Sequence, residues 1–307
     1  MRAFTLESFE SQPALREDMA EPNAAANEIV VRVQASSVNP VDVFIGMGAL
    51  AEMFEHEFPV TLGRDFAGVV EGVGDGVSLY GVGDEVFGFV PHASPAVHAG
   101  SWAELIVLPE DDHAAAKPEG VDAAAAGAAP VAALTAIAAF DALAPTAGDD
   151  VLVVGATGGV GSFFVQLAAS AGANVMAPAL AEDESYLRDL GVSEILDRSA
   201  DIAAAVREAH PDGVDALFDV VSQTPDASLL KEDGRLASPL GAAGEGEGRF
   251  NVMAVSSPSN LQRLGEFLAE GTLRVPIQRA YPLERAGEAL QALPTTHTQG
   301  KLGITIT

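Results

Sequence analysis

The sequence predicts an α/β protein that joins a small rolled β-barrel to a doubly wound parallel sheet. Three observations predict it. The first third is β-rich and punctuated by glycine, and near residue 120 the pattern switches to short apolar runs alternating with helical ones. A glycine turn then links a strand to a helix within residues 151–168.

In the first third, Glu28–Val38 (EIVVRVQASSV) alternates apolar and polar residues, as a half-buried strand should. Phe66–Val73, Glu85–Val90 and Ala103–Leu108 are further short β-prone runs. Gly72, Gly74, Gly76, Gly81 and Gly83 mark turns between them. Beyond them, Val121–Leu143 is alanine-rich and helical, interrupted by Pro130. Strands are expected at Val151–Val154, Asn174–Ala177, Ile195–Leu196, Ala216–Val221 and from Arg235, with helices at Gly159–Ala171, Glu182–Leu190 and Ile202–Ala209 between them. This βαβα order calls for a parallel sheet. Gly241–Gly248 (GAAGEGEG) reads as a loop, Leu261–Glu270 and Leu283–Leu293 as helices, and Leu302–Ile306 as a last strand.

The 307 residues suffice for two domains at about 100–200 residues each. No apolar run reaches the roughly 18 residues of a membrane span, and the first residues lack a charged segment followed by an apolar one, so a cytoplasmic location is expected. With no cysteine, disulfides, thiolate metal sites and cysteine nucleophiles are excluded. The histidines show no H-x₃-H or H-E-x-x-H spacing, and no G-x-S-x-G elbow is present.

Acidic residues number 44 and basic residues 16, a net charge of −28, and the only lysines are Lys117, Lys231 and Lys301. Such self-repulsion disfavours a compact state at low ionic strength. At about 1 M salt the screening length falls to about 3 Å, so a protein adapted to high salt is expected. The same charge opposes binding of a nucleic-acid backbone.

The strongest local motif is VLVVGATGGVGSFFVQLA at 151–168. Ala156, Gly158 and Gly161 occupy the three positions of a G-x-G-x-x-G fingerprint, with alanine for the first glycine. Thr157, Gly159 and Val160 complete the turn. The N-terminus of the following helix offers free N–H groups and partial positive charge to a pyrophosphate. The next strand, Asn174–Leu180, has no acidic residue at its end to grip a ribose 2′-hydroxyl, which disfavours NAD.

Taken together, ASSVNPVD (35–42), PVTLGRDFAGVVEGVG (59–74), VGDEVFGF (82–89), GSWAEL (100–105), AALTAIAAF (132–140), GATGGVGS (155–162), YPLERAGEAL (281–290) and QGKLGITIT (299–307) resemble the zeta-crystallin-like quinone oxidoreductases of the medium-chain dehydrogenase/reductase superfamily. The resemblance implies a GroES-like barrel domain, residues 1–122 and 266–307, with a Rossmann NADP-binding domain, residues 123–265, inserted in it and the active-site cleft between them. Zinc-dependent relatives need Cys and a His–Glu pair where this chain has Asn39 and Arg64–Asp65, so no metal is expected.

The resemblance also places site residues. Asn39 matches a cleft asparagine that contacts substrate or nicotinamide; otherwise it is a turn residue before Pro40. Asp42 is expected to hold that loop, and Phe44 replaces a tyrosine. Arg64 either hydrogen-bonds a substrate oxygen or pairs with Asp65 or another acid. Thr135 matches a threonine near the nicotinamide. Where NADP-preferring relatives carry a lysine, this chain has Asp183; Arg198, aligned with a phosphate-contacting pair, is expected to hold the 2′-phosphate instead. Lys301 is expected to reach the cofactor, and Ser222, Gly241 and Asn251 to line its nicotinamide half. The implied function is NADPH-dependent, metal-free hydride transfer to a quinone or α,β-unsaturated carbonyl. An enoyl-thioester or alkenal reductase is the alternative, and a non-catalytic nucleotide- or RNA-binding protein the second. A homodimer paired along Arg249–Val255 is expected.

Overall fold

The computed structural model describes residues 1–93 and 96–306. It divides into two compact units: residues 1–131, 256–271 and 277–307, and residues 132–255 and 272–276.

The first unit runs β1 (Ala3–Leu6), β2 (Ala14–Arg16), β3 (Glu28–Val38), α1 (Pro40–Gly46), β4 (Val60–Thr61), β5 (Asp65–Val73), β6 (Glu85–Phe89), β7 (Leu105–Pro109), β8 (Ala114–Ala116) and α2 (Ala123–Ala128). The second holds α3 (Pro130–Leu143, whose first two residues belong to the first unit), β9 (Asp150–Val154), α4 (Gly159–Ser170), β10 (Asn174–Ala179), α5 (Glu184–Leu190), β11 (Glu194–Asp197), α6 (Ile202–Ala209), β12 (Val214–Asp219), β13 (Leu230–Ser238) and β14 (Arg249–Asn251). The chain then returns to the first unit with α7 (Pro258–Ala269), β15 (Ile277–Pro282), α8 (Ala286–Thr295) and β16 (Lys301–Thr305).

β3 organises the first unit. Its alternation buries Ile29, Val31 and Val33 in a core shared with Phe66, Val86, Trp102 and Ile304. One edge pairs antiparallel with β5 from Ile29 to Ala35. The other pairs with β7 at Glu28–Arg32 and then with β16 at Ala35–Val38. Register shifts near Val30 and Val33 bend the strand so that it serves two neighbours in succession, which rolls the sheet. β1, β2 and β4 form a separate three-stranded sheet.

The division differs from the expected one: residues 272–276 fall in the second unit, and two boundaries shift for a packing reason. α2 packs on β3 and β5, and α7 packs on β8, so residues 123–131 and 256–265 belong with the barrel. Among the described residues no helix is long and apolar enough to cross a membrane.

The sheet of the second unit is entirely parallel, in the order β11-β10-β9-β12-β13-β14. Counted within the unit this is 3-2-1-4-5-6, the doubly wound order that binds ligands outside the carboxyl ends of its central strands. Val151, Leu152 and Val153 are fully buried, and α4 lays Phe164 on Phe218 of β12 with ring centroids 4.5 Å apart. β14 forms one edge of this sheet, shorter than the expected Arg249–Val255 because the chain leaves the ladder after Asn251.

Candidate functional site

In the second unit the candidate residues gather at the carboxyl ends of the strands. The turn after β9 adopts a left-handed conformation at Gly155, with φ +89°, and not at Ala156. That explains alanine at the first fingerprint position: Ala156 is buried and needs no positive φ. Gly161 is required by close packing, since a Cβ there would lie 2.2 Å from the Gly155 carbonyl oxygen. Gly158 differs: a Cβ would meet only that oxygen, at 3.6 Å, and its outer side is open. Thr157, Gly158, Gly159 and Val160 are half-buried, and the first N–H groups of α4 lack intrahelical acceptors.

The neighbouring strand ends carry the rest. The Arg198 N–H donates to the Ala179 carbonyl at 2.9 Å, which sets this exposed residue beside the end of β10. Asp183 is buried, and its carboxylate accepts the Leu180 N–H at 3.3 Å, so it caps the turn after β10. After β12, the Asp219 carboxylate accepts the N–H groups of Val221 and Ser222 at 2.9 and 2.8 Å and shapes the loop on which Ser222 sits. Asn251 accepts the Ala243 N–H at 2.9 Å, so its amide oxygen ties down the loop that begins at Gly241, itself at φ +73°. Thr135 is buried within α3.

In the first unit, a buried polar cluster forms where three strand ends meet the start of α1. Asn39 caps α1 from the end of β3, Asp65 opens β5 and Lys301 opens β16. The Asn39 amide nitrogen donates to Asp65 Oδ2 at 2.8 Å, and its oxygen accepts from Lys301 Nζ at 2.5 Å. Lys301 also donates to the Val38 carbonyl at 3.3 Å and to Asp65 at 3.5 Å. Asp65 further accepts from the Ser37 hydroxyl at 2.6 Å and from the Val131 N–H at 2.7 Å. Asp42, in the first turn of α1, accepts the Asn39 N–H at 2.7 Å, holding the loop as expected from its position.

Lys301 and Arg64 are both buried and bonded within the barrel, Arg64 in the pairing with another acid that is one of its two expected roles. Lys301 is 2% exposed and all three of its ammonium hydrogens have acceptors inside the barrel, so it is not a free cation awaiting a cofactor. Arg64 is 1% exposed and donates to the carbonyls of Pro91 and Thr61 at 3.0 and 2.9 Å. Its ion-pair partner is Asp42, at 3.7 Å, and not Asp65. Phe44, on α1, is exposed.

Burial dominates the electrostatics. It pushes the Asp42 carboxyl up to about 7 against the pull of Arg64, and the Arg64 guanidinium down to about 10. It also lowers Lys301, opposed by Asp65 and Asp42. Ser37 and Asp219 carry structure here without having been singled out in the sequence. The signals existed: a polar residue in the buried half of a strand requires a partner, and Asp at a strand end shapes the turn that follows.

Residues 25–119 match the alcohol dehydrogenase GroES-like domain family, and residues 190–302 the zinc-binding dehydrogenase family. The chain is 30% identical over 295 residues to an NADPH-dependent alkenal/one oxidoreductase of Arabidopsis thaliana chloroplasts, covering 94% of this chain and 74% of that one. It is 28% identical over 302 residues to a chloroplast envelope quinone oxidoreductase homolog from the same plant, covering 92% and 90%. The solved quinone oxidoreductase of Coxiella burnetii superposes with a TM-score of 0.88 at 28% identity, covering 100% of this chain and 99% of that one. With a GroES-like barrel, a Rossmann sheet and these relatives, the chain belongs to the quinone-oxidoreductase-type family of the medium-chain dehydrogenases and reductases.

Proposed function

We propose that the protein is an NADPH-dependent reductase that delivers hydride to a quinone or another α,β-unsaturated carbonyl without a metal. The observation that carries the reading is the Gly155–Gly161 turn at the carboxyl end of the first strand of a 3-2-1-4-5-6 sheet. Its open side at Gly158 and the N–H groups opening α4 fit a pyrophosphate. A reduced nicotinamide, when bound, supplies hydride to the carbonyl carbon of a quinone or the β-carbon of an enone, and solvent supplies the proton.

The residues do not fit zinc. The chain lacks cysteine, and among the described residues no three His, Asp or Glu side chains converge as a metal-holding group. The buried cluster also contains the guanidinium of Arg64 and the ammonium of Lys301, which repel a cation.

Preference for NADPH is supported by Arg198 beside the end of β10, while the nearby Asp183 carboxylate is buried in its cap. The alkenal/one oxidoreductase relative supports enones among the acceptors. β14, as an edge strand, is the surface we assign to a homodimer. The deciding experiment follows NADPH and NADH oxidation in high-salt buffer with 1,4-naphthoquinone, cyclohexenone and an enoyl thioester. NADPH-specific turnover of the first two is expected. Saturating NADPH without turnover of any acceptor would refute the reductase reading.

A further inference from the structure

We infer that residues 272–276 form a strap held on α4 by Gln166, and that nucleotide bound at the Gly155–Gly161 turn and docking of this strap stabilise each other. The inference rests on the reductase reading and adds a conformational partner to the same nucleotide site.

Thr272–Pro276 lie between α7 and β15 and belong to the second unit. They form neither helix nor strand, so their backbone groups need partners from elsewhere. Gln166, 6% exposed on α4, supplies them at Arg274. Its amide oxygen accepts the Arg274 N–H at 2.8 Å, and its amide nitrogen donates to the Arg274 carbonyl at 3.1 Å. One side-chain amide thus presents the donor and the acceptor that a neighbouring strand would offer. Leu273, next along the chain, is buried, and the Arg274 guanidinium donates to the Asp189 carbonyl of α5 at 2.5 Å. All of these partners lie within the second unit.

The same side chain reaches the start of α4. The amide nitrogen of Gln166 also donates to the Ser162 carbonyl, at 3.0 Å. Ser162 in turn is tied to the glycine turn: its N–H donates to the Gly158 carbonyl and its hydroxyl to the Gly159 carbonyl, both at 2.9 Å. Strap, Gln166, Ser162 and turn are joined by hydrogen bonds without a gap. The first turn of a helix opens locally at low cost, and when this one opens Ser162 moves and Gln166 loses a partner. A pyrophosphate that accepts the N–H groups of that turn holds it closed. Order supplied by one partner need not be supplied again by the other, so nucleotide and strap favour each other. By linkage the effect is equal in both directions.

The Arg274 amide hydrogen reports on the strap, because its acceptor is Gln166 itself. In native-state hydrogen exchange of the wild-type protein, saturating NADPH should slow it by about fivefold or more. The control is the Gly213 N–H, bonded to the His210 carbonyl at 2.9 Å just before β12, at the opposite end of that strand from the nucleotide turn. Its exchange should stay within about twofold. Equal slowing of both amides is general stabilisation by a ligand and would overturn the inference. So would an unchanged Arg274 amide with NADPH bound. Gln166→Met keeps the length of the side chain and removes its polar atoms. It should weaken NADPH by about fivefold or more and abolish the response at Arg274. A folded Gln166→Met protein with wild-type NADPH affinity is equally fatal; should the variant not fold, the exchange measurement on the wild type decides alone. A wild type that binds no NADPH refutes the reductase reading instead, so the two failures are distinguishable.

Discussion

Arg64 Nε and Asp42 Oδ1 face each other at 3.7 Å, and among the described residues neither atom has a hydrogen-bond partner. The pair is fully buried, so its attraction is set against the desolvation of both ions. Asp42 loses that contest in part: its carboxyl is pushed up to about 7.

The first prediction concerns pH. Because folding raises the Asp42 value, the native state binds the extra proton between the ordinary carboxylate value and about 7. Stability attributable to Asp42 is therefore highest in acid and falls as pH rises through that window. A rise from 3.8 to about 7 corresponds to about 4 kcal/mol at order-of-magnitude precision. Asp42→Asn keeps an oxygen for the Asn39 N–H and mimics the neutral acid. It should melt higher than wild type at pH 8 and lose that advantage near pH 4. Parallel melting curves for both proteins across this range would refute the assignment.

Arg64 gives the opposite expectation. Its removal strips donors from two partly buried carbonyls, those of Thr61 and Pro91, and leaves the buried Asp42 without its cation. Arg64→Met should cost about 3–5 kcal/mol in denaturant unfolding. Lysine should not substitute, because one ammonium on a flexible stem cannot reproduce the planar fork that reaches both carbonyls. A variant as stable as wild type but slow in turnover would return Arg64 to direct contact with substrate.

The glycine turn separates packing from binding. Gly161→Ala drives a Cβ into backbone at 2.2 Å and should destabilise the protein by about 2–3 kcal/mol. Gly158→Ala meets nothing nearer than 3.6 Å, so its melting temperature should match wild type. The new methyl nevertheless occupies the approach of a pyrophosphate, and NADPH affinity should fall by about tenfold or more. Unchanged affinity in a folded Gly158→Ala protein would remove the nucleotide from this turn.

Much of this architecture was legible in the sequence, for reasons visible in particular residues. Glu28–Val38 and Ile202–Ala209 were delimited as found, because each shows its face through clear periodicity. α1 was not, although Asn39–Pro40 followed by Asp42 is a helix-start signature. At seven residues the helix is too short for its apolar face to declare itself. β15 escaped because Gln278, Arg279 and Ala280 are exposed and only its pairing with β16 makes it a strand. The polar cluster was legible residue by residue but not as a unit. Lys301 and Asn39 are 262 positions apart, and only the register between β16 and β3 joins them.

Cofactor choice provides a further prediction. Arg198 is exposed at the end of β11, hydrogen-bonded through its backbone to the end of β10, where an adenosine 2′-phosphate would lie. A charge-assisted contact of this kind contributes about 1.5–3 kcal/mol. Arg198→Ala should therefore weaken NADPH by about tenfold or more and leave NADH nearly unchanged. Equal losses for both cofactors would place Arg198 outside phosphate recognition.

The last prediction follows from the charge of the whole chain. With 44 acidic residues against 16 basic ones, negative charges outnumber positive ones by 28. Their repulsion disfavours the compact state, which crowds charge that unfolding would spread out. Screening should therefore raise the melting temperature steeply between about 0.1 and 1 M KCl, where the Debye length falls from about 10 to 3 Å. Charge-neutralising replacements should act like salt: changing several exposed Glu or Asp residues to Gln or Asn should raise stability most at low KCl and least at high KCl. The buried Asp42–Arg64 pair, shielded from mobile ions, should contribute nothing to that slope. A melting temperature independent of KCl would mean that the surface charge is held apart well enough not to matter, and would remove the case for adaptation to high salt.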